Sequence, residues 1–367
     1  MSKTVIAAMS GGVDSSVAAA LLKEQGYNVI GITLNVWPSE RSGLSYTKSC
    51  CSITDVDDAR RVCNKLNIPH YILNMQDIFK TKVIDYFVSE YLQGRTPNPC
   101  IACNEHIKFD ALMSKAESLG ADYVATGHYA EIAKDALTNE LCLKRSKDTK
   151  KDQTYVLYTL NQKQLSHLLL PCGGYTKQEI RKIAFDNEIP TFQKPDSQDI
   201  CFIGEEGYKE FIKNYLSLHG GALVAKPGKV VDKNGKVLGQ HDGVFNFTIG
   251  QRKGLGKYTN ESSFVTAIDA ESATVYLGKD EDLFTSTLVV TDMHYMLIGR
   301  IIKDAVLNVK IRYSAAEAEA LITQVNGNTI QVEFKTPQRA ITSGQAAVFY
   351  QNDILLGGGT ICAENTI

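Results

Sequence analysis

Two stretches of this chain carry residue types that do chemistry. The first is Ser10-Gly11-Gly12-Val13-Asp14-Ser15-Ser16, placed directly after the apolar run Thr4-Val5-Ile6-Ala7-Ala8-Met9. Glycines let a backbone come close to a polyanion, and hydroxyls and N–H groups at a helix N-terminus bind it. The stretch therefore reads as a strand, a Gly-Gly turn and a helix, with a phosphate at the turn. Asp14 is acidic inside such a phosphate site, so it reads as a ligand for Mg²⁺, which neutralises the phosphates. The G-x-x-x-x-G-K-[ST] loop of γ-phosphate users is absent. A turn that merely joins strand to helix would leave Asp-Ser-Ser at the helix start unexplained.

The second stretch is Thr96-Pro97-Asn98-Pro99-Cys100-Ile101-Ala102-Cys103-Asn104. Two prolines fix the backbone just before a C-x-x-C, and a helix is expected just after it. A helix N-terminus stabilises a thiolate, which makes a cysteine there a usable nucleophile. The alternative is a structural zinc site. One C-x-x-C supplies only two ligands, so His106 and the distant Cys201 would have to complete the set. Cys201 lies in Lys194-Pro195-Asp196-Ser197-Gln198-Asp199-Ile200-Cys201-Phe202, a polar loop entering an apolar segment. Taken alone, it also reads as a buried, inert thiol. Cys50-Cys51, Cys63, Cys142, Cys172 and Cys362 read as packing residues or stay unassigned.

The elements that must position these residues alternate in the first half. Strands are expected at 28–34, 70–74 and 122–126. Helices are expected at 55–66, 78–91, 107–119, 153–160 and 177–187, with Gly120 as a C′ residue. Such alternation implies a mostly parallel, doubly wound sheet covered on both faces, with ligands at the carboxyl ends of the strands. The helix at 208–218 is the last one expected. From Gly220 onward the chain turns to short runs rich in Gly, Val and Thr, such as 244–248 and 264–268. Five strands at 305–312, 318–325, 329–334, 346–350 and 354–360 predict a C-terminal β-barrel. The expected fold class is α/β: domains at 1–205 (sheet), 206–287 (small, mostly β) and 288–367 (barrel).

A chain of 367 residues is too long for one ordinary core, which agrees with two or three domains. Apolar content of 44% and charged content of 22% suit a globular protein, and no apolar run is long enough to span a bilayer. The first residues lead straight into an expected strand, so no signal peptide is read. With nine cysteines, an odd count, this points to a reducing, cytoplasmic setting. A net charge of −2 does not by itself suggest a nucleic-acid partner. Local basic segments still allow one: Lys144-Arg145-Ser146-Lys147, Lys150-Lys151, Arg252-Lys253 and Lys257, each otherwise a solvated loop.

The first loop resembles the pyrophosphate loop of the ATP pyrophosphatases, which split ATP between the α and β phosphates and adenylylate an oxygen. Further motifs follow in order: Ala125-Thr126-Gly127-His128-Tyr129, Lys151-Asp152-Gln153-Thr154-Tyr155, residues 196–202, Thr248-Ile249-Gly250-Gln251-Arg252-Lys253-Gly254-Leu255-Gly256, Ile311-Arg312-Tyr313 and Gly344-Gln345-Ala346-Ala347-Val348-Phe349-Tyr350. The whole series resembles the bacterial tRNA-specific 2-thiouridylases. These replace O2 of the wobble uridine by sulfur.

The resemblance implies a role for each matching residue. Ala8, Met9, Ser10, Gly11, Gly12, Val13, Asp14 and Ser15 would hold the ATP phosphates, and Leu34 and Gly127 would frame the adenosine. Cys201 would carry a persulfide supplied by a sulfur-relay protein, and Cys103 would be the second catalytic cysteine, a nucleophile that either attacks the persulfide to free sulfide or closes a disulfide with Cys201 when sulfur leaves. Asn98, Pro99 and Cys100 would lie beside the target base. His128, Lys151, Asp152, Gln153, Arg312, Tyr313 and Gln345 would contact the tRNA. A monomer is expected.

The chain departs from one familiar form of the family at Cys100, where many members carry Asp. A thiol cannot replace a carboxylate as general base at neutral pH. The alternative to the persulfide is that Cys100, Cys103 and Cys201 bind three irons of a [4Fe–4S] cluster, as in related thiolases of the loop class. Two rivals remain: an ammonia-using enzyme of the same loop class, and an RNA-binding protein with a relic loop.

Overall fold

The structure is a computed structural model that describes residues 2–36, 53–196, 200–219, 225–259 and 262–362. The vicinal pair Cys50-Cys51, Gly220, and Ser197, Gln198 and Asp199 of the 196–202 motif lie outside the described residues. The chain divides into two compact units. Unit 1 comprises residues 1–83, 99–205 and 353–355; unit 2 comprises 84–98, 206–352 and 356–367.

In unit 1 a five-stranded parallel sheet runs in the order β3-β2-β1-β4-β7. Its strands are β1 (Thr4–Ala8), β2 (Asn28–Asn35), β3 (His70–Asn74), β4 (Tyr123–Ala125) and β7 (Leu168–Leu169). Helices α1 (Val13–Glu24), α2 (Ile53–Lys65) and α8 (Lys177–Asp186) belong to the same unit. The core gathers Val5, Ala7, Met9, Val17, Val29, Ala59, Val62, Ile180 and Ala184. Burial on both faces explains why β1 reads as a continuous apolar run instead of an alternating one. The chain leaves β1 toward β2 on one side and returns through β4 on the other. The carboxyl end of β1 is thus the point where strand order reverses, and the Gly-Gly loop follows it directly.

Four elements depart from the sequence reading. A hairpin, β5 (Ala130–Lys134) and β6 (Leu141–Arg145), follows the sheet strand β4. Its charged positions Glu131, Lys134, Lys144 and Arg145 hide the alternation. The helix at the C-x-x-C begins earlier than expected. It starts with α5 (Pro99–Ala102), continues through a π-helical stretch Cys103–Ala111 and ends in α6 (Leu112–Ser118). Proline is well suited to a first helical position, so Pro99 opens this helix, which was expected to start only after the C-x-x-C. Gly120 follows at φ +71°, as expected of a C′ residue. The expected helix at 153–160 shrinks to a 3₁₀ turn, Thr154–Leu157, before the short helix α7 (Gln162–Ser166). The expected helix at 78–91 is three pieces: α3 (Gln76–Phe79), a π-helical Lys80–Asp85 and α4 (Tyr86–Leu92), the last of which is counted in unit 2.

Unit 2 holds α9 (Tyr208–His219) and a four-stranded sheet in the order β10-β11-β8-β9. These strands are β8 (Gly228–Asp232), β9 (Val237–His241), β10 (Phe264–Asp269) and β11 (Thr274–Gly278). Residues 244–248, expected extended, instead open with a 3₁₀ turn, Val244–Asn246, where Nδ1 of His241 meets the Gly243 N–H. Six further strands follow: β12 (Phe284–Tyr295), β13 (Val306–Lys310), β14 (Ala318–Asn326), β15 (Thr329–Arg339), β16 (Ala346–Gln351) and β17 (Ile354–Cys362). Pairing of β12 with both β15 and β17 closes an antiparallel barrel. The five expected barrel strands are present. The reading missed β12, the strand that closes the ring.

Candidate active site

The Gly-Gly loop is shaped from within. Gly11 sits at φ +72°, and a Cβ there would stand 2.3 Å from the carbonyl oxygen of Asp55. Only glycine satisfies both conditions. Gly12 is the N-cap of α1 and offers no side chain to the first-turn amides, which leaves them for an anion. The Ser15 hydroxyl accepts from the Ser10 N–H (3.2 Å) and lies 3.1 Å from the Ser10 hydroxyl. The Ser16 hydroxyl donates to the Gly12 carbonyl at 2.7 Å. Ser10, Gly12 and Asp14 keep solvent access, while Met9, Gly11, Val13 and Ser15 are buried and Ala8 is half-buried.

Lysines and aspartates fix the loop's surroundings. Lys194 Nζ donates to the Gly11 carbonyl (3.0 Å), Asp55 (2.5 Å) and Asp58 (2.6 Å). Burial opposes the charge on Asp58, but the hydrogen bonds from Lys194 and Arg61 outweigh it and hold the carboxyl below its usual value. Asp14 accepts from Lys177 Nζ at 2.6 and 2.8 Å and from the Tyr129 hydroxyl at 2.7 Å. Asp196 accepts from Lys151 (2.7 Å), Lys177 (2.8 Å) and Arg181 (3.1 Å). Burial works against the Asp196 charge as well, and the bonds from Lys151 and Lys177 again win, so its carboxyl lies below the usual range. Sequence reasoning missed Lys177. The signal was present: Thr176 and Glu179 form a capping box, and a lysine at the first position of that helix stands where the dipole disfavours a cation.

The expected Mg²⁺ role of Asp14 meets this geometry directly. With an ammonium on both of its oxygens, the Asp14 carboxylate as arranged does not fit a cation. Among the described residues no group of three or more His, Cys, Asp or Glu side chains is placed to hold a metal ion. As placed, Cys100, Cys103 and Cys201 do not form the ligand set that a [4Fe–4S] cluster needs, and among the described residues the C-x-x-C is not part of a group of three metal-ligating side chains.

Leu34, near the end of β2, is buried, and Gly127 follows the end of β4. Cys100 is exposed and Cys103 half-buried in the first turns of the helix opened by Pro99; Cys201 is half-buried. Neighbours pin the two expected catalytic cysteines. Asn104 is buried, donates to the Val156 carbonyl (2.9 Å) and accepts from Lys108 (2.9 Å). Phe202 is fully buried and meets Phe79 edge-on, with centroids 5.9 Å apart. Cys63, Cys142 and Cys172 are buried, and burial pushes the Cys63 thiol up to about 11, as inert packing thiols should be.

Several expected RNA contacts are engaged inside the fold. His128 is buried, with Nδ1 2.7 Å from the Thr126 hydroxyl and Nε2 3.4 Å from Lys108 Nζ. Burial, and then Lys108, push its pKa well below the usual value, so the ring is neutral. Asp152 is buried and accepts from Arg145, the Ser146 N–H and Thr154. Gln153 accepts from the Tyr129 N–H (2.9 Å). In unit 2, Gln345 donates to the Thr96 carbonyl (2.7 Å), Arg312 donates to Thr342 (2.9 Å) and the Ala340 carbonyl, and Tyr313 is exposed. The half-buried Asn98 also belongs to unit 2, whereas the buried Pro99 belongs to unit 1.

The chain matches three domain models: a tRNA methyl transferase HUP domain over residues 3–205, a tRNA methyl transferase PRC-barrel domain over 209–279, and an aminomethyltransferase beta-barrel domain over 285–361. It is 49% identical over 361 residues to the tRNA-specific 2-thiouridylase MnmA of Clostridium acetobutylicum, covering 98% of this chain and 100% of that one. It is likewise 49% identical to the protein of the same name from Clostridioides difficile, covering 98% of each chain. Among solved structures, a 4-thiouridine synthetase–RNA complex with bound ATP aligns at 19% identity and a TM-score of 0.34, over 54% of this chain and 44% of that one. On the strength of near-complete coverage at about half identity, this chain belongs to the family of the tRNA-specific 2-thiouridylases.

Proposed function

We propose that this protein uses ATP to replace O2 of the wobble uridine of tRNA by sulfur, giving 2-thiouridine, AMP and pyrophosphate. The observation that carries the chemistry is the loop at the switch point of the sheet, with uncapped amides at α1 and with Cys103 and Cys201 in the same unit. A uridine C2 carbonyl is a poor electrophile and its oxygen a poor leaving group. Transfer of AMP to that oxygen solves both problems. Ala8 to Ser15 hold the phosphates, and Leu34 and Gly127 flank the adenosine. Mg²⁺ enters as the counter-ion of the nucleotide and not through Asp14, whose two oxygens Lys177 occupies.

Sulfur then arrives as a persulfide on Cys201, delivered by a relay protein. The Cys103 thiolate attacks the inner sulfur of that persulfide, closes a Cys103–Cys201 disulfide and expels hydrosulfide. Hydrosulfide adds to C2, AMP departs with the former O2, and a dithiol reductant resets the disulfide. Asn98, Pro99 and Cys100 lie beside the target base. Lys151, Arg312 and Tyr313 face the tRNA, whereas His128, Asp152, Gln153 and Gln345 serve it by shaping backbone. The division of labour follows the sequence: catalysis in 1–205, tRNA binding in 206–287, and a barrel in 288–367, in a cytoplasmic monomer.

The test is a thiolation assay on wobble-uridine tRNA with ATP and a persulfide donor, using wild type and Asp14→Ala. Wild type should form 2-thiouridine and release pyrophosphate with tRNA present. Asp14→Ala should lose both while keeping its fold, since Asp14 is half-exposed. Normal pyrophosphate release by Asp14→Ala would remove the loop from the mechanism.

A further inference from the structure

We propose that Lys177 is a substrate-binding residue of the adenylation step: it leaves Asp14 and Asp196 to take the charge of the pyrophosphate portion of ATP. The inference rests on the nucleotide reading given above. Lys177 is the first residue of α8, and its side chain is only 11% exposed. Its ammonium bridges Asp14, in the first turn of α1, and Asp196, at 2.6–2.8 Å, above the Tyr129 ring at 5.8 Å. Three cations, Lys151, Lys177 and Arg181, thus share two carboxylates at a place where two helix N-termini meet.

At α8 the positive end is already met by Asp148, which accepts from the Lys177 N–H, and by the Thr176–Glu179 capping box, whereas the α1 end beside Lys177 has no side-chain cap and adds its partial positive charge toward an anion. Asp196 keeps Lys151 and Arg181, and Asp14 keeps the Tyr129 hydroxyl, when Lys177 swings away. Neither carboxylate is then stranded, which keeps the cost of the exchange small. As the uridine oxygen bonds to the α-phosphorus, the bond to the bridging oxygen breaks and its electron pair goes to pyrophosphate. The departing group gains charge at that moment, and a lysine already beside it stabilises the transition state more than the ground state.

The measurement is calorimetric binding of inorganic pyrophosphate and of AMP, each alone, to wild type, Lys177→Gln and Lys163→Gln. Lys163 pairs with Glu117 at the surface and controls for loss of a lysine. Lys177→Gln should weaken pyrophosphate binding at least about tenfold and leave AMP binding within about twofold. Lys163→Gln should change neither. Equal weakening of both ligands would make Lys177 a structural pin and overturn the proposal, as would unchanged pyrophosphate binding. Should Lys177→Gln not fold, Lys177→Arg keeps the charge but not the ammonium geometry. The proposal then requires a shift in pyrophosphate affinity with AMP affinity unmoved, and it fails if the two move together. A wild type that binds neither ligand and releases no pyrophosphate from ATP with tRNA present would instead overturn the nucleotide reading itself.

Discussion

Gly127 packs against the first turn of α1 so closely that a Cβ there would stand 2.7 Å from both the Asp14 carbonyl carbon and the Ser15 nitrogen. The residue after β4 and the first turn of α1, just beyond the Gly-Gly loop, are in close backbone contact. Backbone cannot move aside as a flexible side chain can. Gly127→Ala should therefore displace the Asp14–Ser15 turn, raise the KM for ATP and slow pyrophosphate release, with tRNA affinity unchanged. An unchanged KM would mean that the turn relaxes without affecting the nucleotide site.

The two glycines of the loop should behave differently. At Gly11 an alanine meets both a left-handed φ and the Asp55 carbonyl, so Gly11→Ala should destabilise unit 1 by about 1–3 kcal/mol. Gly12 has φ −91°, and its nearest atom for a new Cβ is Ser10 Oγ at 3.4 Å, an ordinary contact. Gly12→Ala should fold with an unchanged melting temperature yet bind ATP more weakly, because the Cβ occupies the path of phosphate to the first-turn amides. Equal melting losses for the two variants would contradict this division.

How much of this was legible in advance depended on range. Local signals served well: β3 spans the expected 70–74, and Gly120 takes the positive φ of a helix end. Signals that depend on partners did not. The charged β5–β6 hairpin hides its alternation, and β12 is recognisable only once β15 and β17 pair with it. The residues of the loop were visible because their chemistry is written in consecutive positions. The surroundings that tune it were not: Lys177 and Lys194 reach Asp14 and Gly11 across more than 160 positions of sequence. The same limitation affects the basic segment at 144–151, which looked like a patch. Lys144, Arg145, Lys147 and Lys151 pair with Asp353, Asp152, Glu179 and Asp196.

The cysteines separate by step. Cys201→Ser and Cys103→Ser should stop 2-thiouridine formation while tRNA-dependent pyrophosphate release continues, since adenylation needs neither sulfur. Cys100→Ser should retain much of the activity, because no ligand set forms around Cys100. The check is thiolation and pyrophosphate release side by side on anaerobically purified protein, with iron and sulfide analysis. Stoichiometric iron lost together with activity in Cys100→Ser would restore the cluster reading.

Stability should fall in two separate pH windows. His128 has a depressed pKa in the fold, from burial and then from Lys108. The unfolded chain takes up a proton below about pH 6.5 that the folded chain refuses, so this contribution is complete above that value and is lost as pH falls below it. One such proton gives a slope of at most about 1.4 kcal/mol per pH unit. Asp58 and Asp196 are depressed as carboxylates, so their contribution persists to below about pH 4 and is lost only under further acidification. His70 and His241 are depressed in the same direction as His128 and add to the upper window. Denaturation midpoints followed from pH 7.5 to 5 should show a shallower upper window in His128→Asn, whatever its absolute stability. An identical slope in the two proteins would mean that His128 is protonated in the fold.

The salt dependence of tRNA binding should arise chiefly from unit 2. Lys209 is held below the usual lysine value by burial, with repulsion from Lys257 and Lys213 adding to it. Lys209 and Lys257 lie over the rings of Tyr208 and Tyr258, and Arg252 and Lys253 are exposed nearby in sequence. Like charges held together cost stability unless an anion relieves them, and a phosphate backbone does so. The segment at 144–151 lacks that drive, because most of its cations already have carboxylate partners. Each phosphate contact releases counter-ions, so removing two should reduce the slope of log affinity against log salt by about 1.4–1.8. Lys209→Gln with Lys257→Gln should produce a change of that order, and Lys144→Gln with Lys147→Gln a much smaller one. Filter binding of one tRNA across a range of salt concentrations measures both. A larger drop from the 144/147 pair would show that the RNA displaces those carboxylates and that its backbone runs over unit 1.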